Sequence, residues 1–242
     1  MEIMEIHDRC LENRGMLQPF ICTASDGKQY YCKGSNAQVN GLLNEWICSH
    51  LARSLELPIP EAQVLTLGSD LKRLLPPDWQ RDLEFNCLFG LQAVSGSDTL
   101  SYSRVTDVPD PLQKKLLVFD AWVRNADRCL TSFGGNVNLL LDLKQNQLWV
   151  IDHNLAFDAD FSRQDFLELH VFSGLLKARK LDMIDLVNFS KAFSQARESL
   201  EKDLPEVPDE WLNADPDASA KIQEKMDVLM ECEKHHFLEW LL

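Results

Sequence analysis

The feature that most constrains the fold is a change in hydrophobic periodicity near residue 96. Before this point, several short apolar runs predict strands, and one longer segment has the apolar spacing of an amphipathic helix. After it, most apolar residues follow helical spacing. Strands grouped in one part of a chain and helices in the next predict an α+β fold with two lobes. We therefore expect an N-terminal lobe over residues 1–95 and a C-terminal lobe over residues 96–242.

The first part of the chain contains clear local signals. PFICTA and KQYYCK flank Ser25-Asp26-Gly27 and predict a β-hairpin. The segment GLLNEWICSHLARSLEL predicts an amphipathic helix, with Asn40 as the expected N-cap. EAQVLTL and NCLFGLQAV predict two further strands. The first lobe is thus expected to consist of strands and a single long helix.

The second part is expected to be mostly helical. Asp110-Pro111 predicts a helix start, with the Asp as N-cap and the Pro at the first helical position. NLLLDL and QLWVID predict two strands joined by a polar turn. Helices are expected over DFLELHVF, over DMIDLVNFSKAFSQARESLEK and from about residue 216 to 240, whereas LPEVPDEWLNADPDA is interpreted as a connecting loop.

Composition excludes several classes of protein. The net charge of −14 and the pI of about 4.8 disfavour a nucleic-acid partner, because such binding draws on clustered Lys and Arg. The apolar runs are too short to span a bilayer, so no membrane association is expected. The N-terminus lacks the features of a signal peptide, and the seven Cys residues include no CxxC pair. A cytoplasmic location with free thiols is the expectation. Cys232-Glu-Lys-His235-His236 is interpreted as a solvated helix face rather than a metal site.

Five polar residues stand in the order that phosphoryl transfer requires. The reaction needs a Lys for the phosphates, a Glu to pair with it, an Asp beside the acceptor hydroxyl, and an Asn and an Asp for Mg²⁺. In this chain the order is Lys33, Glu45, Asp127, Asn136 and Asp152. Each lies at the edge of an apolar run, where a polar group can reach a cleft. The order alone is a weak signal, because an Asp after a helix often serves only a turn.

The local contexts resemble those of the HipA-like kinase family. GNVNLLLDLKQNQLWVIDHNLAF resembles the family segment in which a loop Asp-Arg precedes Asn-x-Asn-Leu-Leu and Leu-Trp-x-Ile-Asp-His. NEWICSHLARSLELPIPEAQVL resembles the family's αC region, RGMLQPFICTASDGKQYYCKGSN its opening strands, and CLFGLQAVSGS its hinge strand. The resemblance extends to about residue 160. It implies a two-lobed protein-kinase-like fold, with a small β-rich N-lobe that contains one αC-type helix and a larger helical C-lobe.

The resemblance implies ATP and Mg²⁺ as cofactors and assigns residues to the nucleotide. Lys33 would contact the α- and β-phosphates, and Glu45 would orient it. No GxGxxG loop occurs, and Gly15 is the residue expected to allow close approach of backbone to phosphate. The residues expected to present backbone groups to adenine are Gln92, Ala93 and Val94.

The resemblance also assigns the acceptor and metal residues. Asp127 would accept the proton of the acceptor hydroxyl, and Asp152 would hold Mg²⁺ together with Asn136, which is preferred to Asn138. Two departures bear on these roles. The kinase pattern HRDxxxxN places its Asp and Asn closer together, so this loop is about four residues longer. Cys129 also stands where the family usually has His.

The expected activity is therefore that of a kinase for Ser or Thr in a protein substrate. The alternative is a catalytically weak or inactive kinase fold that binds nucleotide or a protein partner. The lengthened loop favours this alternative, whereas the complete set of five residues favours a kinase. A metal-dependent hydrolase would need more clustered carboxylates. The sequence leaves open the substrate, a role as a toxin and an antitoxin partner.

Overall fold

The computed structural model describes residues 1–10, 17–142 and 144–242. Its strands are β1 (Ile3–Arg9), β2 (Phe20–Ala24), β3 (Gln29–Lys33), β4 (Ala62–Thr66), β5 (Cys87–Gln92), β6 (Ser97–Thr99), β7 (Leu139–Asp142) and β8 (Gln147–Val150). Its helices are α1 (Gln38–Ser54), α2 (Ser69–Arg73), α3 (Pro77–Asp82), α4 (Asp110–Trp122), α5 (Arg163–Leu169), α6 (Gly174–Lys177), α7 (Met183–Asp203), α8 (Asp209–Ala214) and α9 (Ala218–Leu229).

An antiparallel five-stranded sheet dominates the first part of the chain, with the strand order β1-β2-β3-β5-β4. The predicted hairpin is confirmed: β2 and β3 pair across the Ser25-Asp26-Gly27 turn, where Gly27 has a φ of 78°. This positive φ suits glycine because it has no Cβ. A second, three-stranded sheet has the order β6-β7-β8. The division proposed between residues 95 and 96 falls in the turn that joins β5 to β6.

Helix α1 is buried on nearly all sides, which differs from the amphipathic pattern expected for it. It contributes to the larger of two apolar clusters and packs against β5 and against α7, α8 and α9. A helix covered from both directions has no solvent face to keep polar. The smaller cluster lies between the five-stranded sheet and α3, and it includes Phe20, Tyr30, Leu65 and Leu88. Helix α1 therefore connects the sheet to the C-terminal helices.

Several element boundaries differ from expectation. Helix α1 begins at Gln38, so Asn40 is not its N-cap; the Asn40 side chain instead accepts a hydrogen bond from Lys225 at 2.6 Å. Helix α4 begins at Asp110, which places Pro111 at the second helical position. The segment interpreted as a loop contains α8, because Trp211 packs into the core and donates its indole N–H to the Cys87 carbonyl.

Two further findings concern the whole chain. All seven cysteines have free thiols, as predicted. Each helix within the described residues is too short or too polar to cross a bilayer.

Candidate active site

Three charged side chains meet where the five-stranded sheet, α1 and β8 converge. Lys33 ends β3, Glu45 lies on α1, and Asp152 follows β8. The Lys33 ammonium forms ion pairs with Glu45 and, at 2.7 Å, with Asp152, a residue 119 positions further along the chain. We call Lys33, Glu45 and Asp152 the cleft cluster. The predicted ion pair between the strand Lys and the helix Glu is confirmed.

The cleft cluster contains two carboxylates and only one cation. Burial opposes charge on Lys33, but Glu45 and Asp152 together raise its pKa above the usual value. Burial raises the pKa of Glu45 to about 7, although Lys33 acts in the opposite direction. Asp152 is only partly buried; burial still acts to raise its pKa, yet Lys33 lowers that pKa below the usual value. Asp152 is thus the more firmly ionised acid and faces the cleft with a negative charge.

Helix α1 is tied directly to the turn that follows β8. Glu45 accepts a hydrogen bond from the backbone N–H of His153 at 3.1 Å. Its neighbour Asn44 donates to the carbonyls of Asn154 and Ala156 at 2.8 and 2.7 Å. These contacts fix the separation between the helix and the turn, so the cleft cluster is assembled in this structure. No sequence pattern pointed to a role for Asn44, although it adjoins Glu45.

Asp127 lies in the loop after α4, half-buried and bonded to both candidate asparagines. Its Oδ2 accepts hydrogen bonds from the side-chain amides of Asn136 and Asn138, at 2.8 and 2.9 Å. Burial raises the pKa of Asp127 above its usual value; the two amides act against this rise, and the nearby charge of Asp152 adds to it. A carboxylate with a raised pKa holds a proton more readily than an ordinary aspartate does.

The lengthened loop forms a small closed hairpin. The backbones of Thr131 and Gly134 bond to each other in both directions, at 3.1 and 3.0 Å. Gly135 has a φ of 155°, and a Cβ there would lie 2.3 Å from the carbonyl oxygen of Cys129, so the close approach requires glycine. Phe133, at the tip, is fully exposed. The extra residues therefore project outward and leave Asp127 bonded to Asn136.

A second group of charges lies beneath this loop and is sealed from solvent. The Arg128 guanidinium bonds to Asp120 at 2.7 Å and to His153 Nε2 at 3.1 Å. His170 also bonds to Asp120, at 3.1 Å. We call Asp120, Arg128, His153 and His170 the Asp120–Arg128 cluster. Burial acts to raise the pKa of Asp120, but Arg128 holds that pKa at about 2. Arg128 is therefore paired with an acid, Asp120, in this structure.

A cavity of about 240 Å³ adjoins the cleft cluster. Lys33, Glu45 and Asp152 line one end, and its apolar wall includes Phe89, Leu91, Leu140 and Ile151. An apolar wall beside convergent charges is typical of a small-molecule site. Gly15, the expected phosphate-loop glycine, lies outside the described residues. A larger cavity of about 780 Å³ shares residues 60, 92 and 94 with this one, but none of the cleft cluster lines it.

Two of the three residues expected to contact adenine, Gln92 and Val94, line the smaller cavity, whereas Ala93 lines only the larger one. The backbone N–H of Gln92 already donates to the carbonyl of Glu61, and that of Ala93 to Gln29, both at 2.8 Å. Those two amides are therefore engaged in holding the segment, and Val94 is the better placed of the three to offer its N–H.

The oxygen groups in the cleft suit a hard divalent cation. Carboxylate and amide oxygens are the ligands that Mg²⁺ and Mn²⁺ prefer. The carbonyl of Asn138 accepts the backbone N–H of Ile151 at 3.1 Å, which places Asn138 beside the turn that bears Asp152. Asn138 is buried, whereas Asn136 is exposed. The fit therefore favours Asn138 over the Asn136 preferred from sequence.

Another group of potential metal ligands lies elsewhere. His235, His236 and Glu239 have ligand atoms within 4.8 Å of one another, in turns near the C-terminus. Both histidines are exposed. His236 already bonds to Glu239 at 2.6 Å. The two histidines are exposed as expected, but they lie on turns rather than on a helix, and Cys232, expected on the same solvated face, is fully buried.

Comparison with known proteins shows the family of the chain and its fold. A family model of HipA-like kinases matches residues 3–241, and the chain belongs to the HipA-like kinase family. The crystal structure of the Golgi casein kinase is similar with a TM-score of 0.51 and 13% identity, over 100% of this chain and 74% of that one. Its form with Mn/ADP bound gives a TM-score of 0.47 and 14% identity, over 98% and 75%. No curated protein sequence matches the chain.

Identities this low show the fold alone, and that fold is the two-lobed protein-kinase-like α+β fold expected from sequence. Family and fold together define a kinase-like phosphotransferase. The match also reaches the C-terminal helices, where the sequence resemblance was no longer recognisable.

Proposed function

We propose that the protein transfers the γ-phosphoryl group of ATP to a Ser or Thr hydroxyl of a protein substrate, with Mg²⁺ as the metal. The cleft cluster is the main support. Lys33 contacts Glu45 and Asp152 at once, and the three residues come from a strand, a helix and a turn that are distant in sequence. Such a group beside an apolar-walled cavity is what phosphate and metal binding require.

Nucleotide binding is assigned to the smaller cavity. The adenine lies against the apolar wall formed by Leu91, Leu140 and Ile151, with Val94 offering its backbone N–H. Lys33, at the inner end, neutralises the phosphates. Glu45 keeps Lys33 extended towards that end, because their ion pair is buried and α1 is anchored to the turn after β8.

Metal binding is assigned to Asp152 and Asn138. Asp152 keeps its charge in this environment because Lys33 lowers its pKa. The side-chain oxygen of Asn138 supplies a second hard ligand, while its amide nitrogen donates to Asp127. Bound Mg²⁺ would neutralise charge on the phosphate oxygens.

Asp127 is assigned as the base. It accepts the proton of the acceptor hydroxyl as the hydroxyl oxygen forms a bond to the γ-phosphorus. The bond between that phosphorus and the bridging oxygen breaks at the same time, and ADP leaves. Burial raises the pKa of Asp127, which favours proton uptake. The amides of Asn136 and Asn138 hold its carboxylate in place through one oxygen.

The alternative is a kinase fold that binds nucleotide but transfers phosphate weakly or not at all. One observation favours it: both asparagine amides donate to the same oxygen of Asp127, and such bonds stabilise the unprotonated carboxylate and reduce its strength as a base.

Labelled phosphate transfer separates the two functions. The full chain is incubated with γ-labelled ATP, Mg²⁺ and casein, a probe chosen because the Golgi casein kinase shares the fold. We expect label in casein or in the protein itself, and its loss in Asp127→Asn with ATP binding retained. ATP binding without transfer to any added protein would support the alternative. Absence of ATP binding by the wild type would refute both.

A further inference from the structure

Arg128 is a fully buried residue that follows the proposed base directly in sequence. Its Nε donates to Asp120 on α4 at 2.7 Å, and one terminal nitrogen bonds to His153 at 3.1 Å. Asp120 is itself held by His170 and by the side-chain amide of Asn125, at 3.1 and 2.9 Å. The guanidinium therefore has a fixed position and is out of reach of a substrate.

The remaining donors of Arg128 reach two backbone segments. Its Nη1 lies 2.6 Å from the carbonyl oxygen of Asn138 and 3.3 Å from that of Ile151, with a longer contact of 3.5 Å to Val137. Asn138 and Asp152 are the proposed metal ligands, and Ile151 immediately precedes Asp152. One side chain thus holds the backbone at both ligand positions.

Both ligand positions have unusual backbone geometry. Asn138 has a φ of 48° and Asp152 a φ of 58°, in the left-handed region that residues with a Cβ rarely adopt. Asn and Asp tolerate this region better than other residues with a Cβ, but a constraint from the surroundings helps to hold them there. The carbonyl contacts of Arg128 adjoin both positions and supply that constraint.

We propose that Arg128, oriented by Asp120, is the positioning residue of the metal site. It fixes the separation and orientation of Asn138 and Asp152. Because it follows Asp127 directly in the chain, it also fixes the placement of Asp127. This inference rests on the proposed function, because it concerns the same metal site. The planar guanidinium suits the role, since it directs several donors in fixed directions at once. Lysine keeps the charge but not this geometry.

Metal binding to the full chain tests the proposal without relying on activity. Mn²⁺ binding in the presence of saturating ADP is titrated by calorimetry for the wild type and for Arg128→Lys, and nucleotide affinity is measured separately in EDTA. We expect Arg128→Lys to raise the Mn²⁺ concentration for half-saturation by about tenfold or more, the usual effect of removing a residue that orients metal ligands. Nucleotide affinity in EDTA should remain at the wild-type level.

Gln113→Met is the matched control. Gln113 is also buried on α4, and its side chain donates to the carbonyls of Val105 and Val108, away from the metal ligands. The Gln113→Met variant therefore loses the same kind of side-chain-to-carbonyl hydrogen bond but leaves the contacts to Asn138 and Ile151 intact. Metal affinity should be unchanged in this variant.

The outcomes are distinct. A folded Arg128→Lys with wild-type Mn²⁺ affinity would overturn the proposal, and so would an equal loss in Gln113→Met. If Arg128→Lys does not fold, Asp120→Asn is the second variant, because it keeps the guanidinium but removes the charge that anchors it. A raised Mn²⁺ requirement in Asp120→Asn is again the expected result, and wild-type Mn²⁺ affinity in that variant would overturn the proposal. A wild type without any metal-dependent nucleotide binding would instead refute the proposed function, and this inference with it.

Discussion

The cleft cluster and the Asp120–Arg128 cluster are both buried groups of charges, yet they are built on different principles. In the Asp120–Arg128 cluster one Arg balances one Asp, and burial and Arg128 lower the pKa of His153 to about 3, which keeps that ring neutral. Both ionic side chains are completely buried. In the cleft cluster Lys33 faces two carboxylates, and the Asp152 side chain remains 25% exposed. The first cluster is balanced and closed, whereas the second is unbalanced and open.

The difference indicates that the closed Asp120–Arg128 cluster supports the structure, whereas the open cleft cluster is suited to binding. A balanced pair whose buried polar atoms are hydrogen-bonded needs no counter-ion from solvent, so it suits the fixing of backbone. An excess of negative charge at the edge of a cavity is costly unless a cation approaches it. The cleft cluster is therefore the place where a divalent ion and its nucleotide would bind, and the Asp120–Arg128 cluster is what holds that place in shape.

Removing one acid from each cluster should give the largest contrast. Asp120→Asn leaves Arg128 charged and unpaired in the interior, and the loss of one partner of a buried pair costs about 3–5 kcal/mol. Glu45→Gln leaves Lys33 paired with Asp152, so its cost should be about 1 kcal/mol or less. Urea unfolding of both variants at pH 7 measures the two free energies. Equal losses would show that the clusters are not built differently.

The pH dependence of stability should also differ between the clusters. The pKa of Glu45 is raised in the folded protein to about 7, from an ordinary value of 4.5. The folded state then binds more protons than the unfolded state in this window, so this group lowers stability as pH rises from about 4.5 to 7, by roughly 2 kcal/mol.

The pH dependence is measured as the difference between Glu45→Gln and the wild type across that window. Glu45→Gln should not show the loss of stability that the wild type shows as the pH rises through this window. The pKa of Asp120 is about 2, so Asp120 stays ionised throughout. The cost of Asp120→Asn should consequently be constant over the same window. A wild type and Glu45→Gln with parallel pH profiles would contradict the raised pKa of Glu45.

Truncation of the two asparagines distinguishes the candidate ligands. Asn138→Ala should raise the Mg²⁺ concentration needed for ATP binding by about tenfold, or about 1.4 kcal/mol, because it removes a proposed ligand. Asn136→Ala should have a smaller effect, because Asn136 is exposed and bonds only to Asp127 among its side-chain contacts in the described structure. Titration of Mg²⁺ at fixed ATP gives both values. The reverse ranking would restore the assignment made from sequence.

Shortening the loop hairpin should have the smallest effect on stability. Removal of residues 131–134 joins residues 130 and 135, which the paired backbones of Thr131 and Gly134 already bring close together. Closure of the shorter loop changes the free energy of unfolding by less than about 1 kcal/mol. Mg-ATP affinity should be unchanged, while phosphotransfer to a protein substrate changes because the deletion removes the exposed hairpin that follows Asp127 in the chain, including Phe133 at its tip.

Phe133→Ala is the control for the loop deletion, because it removes the exposed ring but keeps the hairpin. A shortened protein that folds but fails to bind Mg-ATP would show that the hairpin helps to build the metal site.

Local signals made much of the fold predictable. The β2–β3 hairpin follows from two strand patterns around Ser25-Asp26-Gly27, and the order of Lys33 and Glu45 follows from the strand and helix that bear them. Strand β1 was missed because only Ile3 of its seven residues is buried, so no alternation of buried and exposed positions is visible. Helix α8 was missed because its Pro- and Asp-rich surroundings resemble a loop.

The contacts within the site were harder to predict, because they join segments distant in sequence. The partner of Arg128 is an aspartate on the preceding helix, and no spacing rule identifies it. A charged residue within the apolar run of α4 was the available signal for Asp120. Likewise, the choice between Asn136 and Asn138 depends on which residue pairs with Ile151, and strand register appears only in three dimensions.

Calorimetric titration of ATP, with and without Mg²⁺, into the wild type, Asp152→Asn and Asp127→Asn tests the central claim most directly. The unbalanced charge of the cleft cluster predicts Mg²⁺-dependent binding in the wild type. Asp152→Asn should weaken that binding by about 100-fold, and Asp127→Asn should retain it, because Asp127 acts on the acceptor. Binding that is indifferent to Mg²⁺, or equally weakened in two folded variants, would contradict the assignment of Asp152 as the metal ligand.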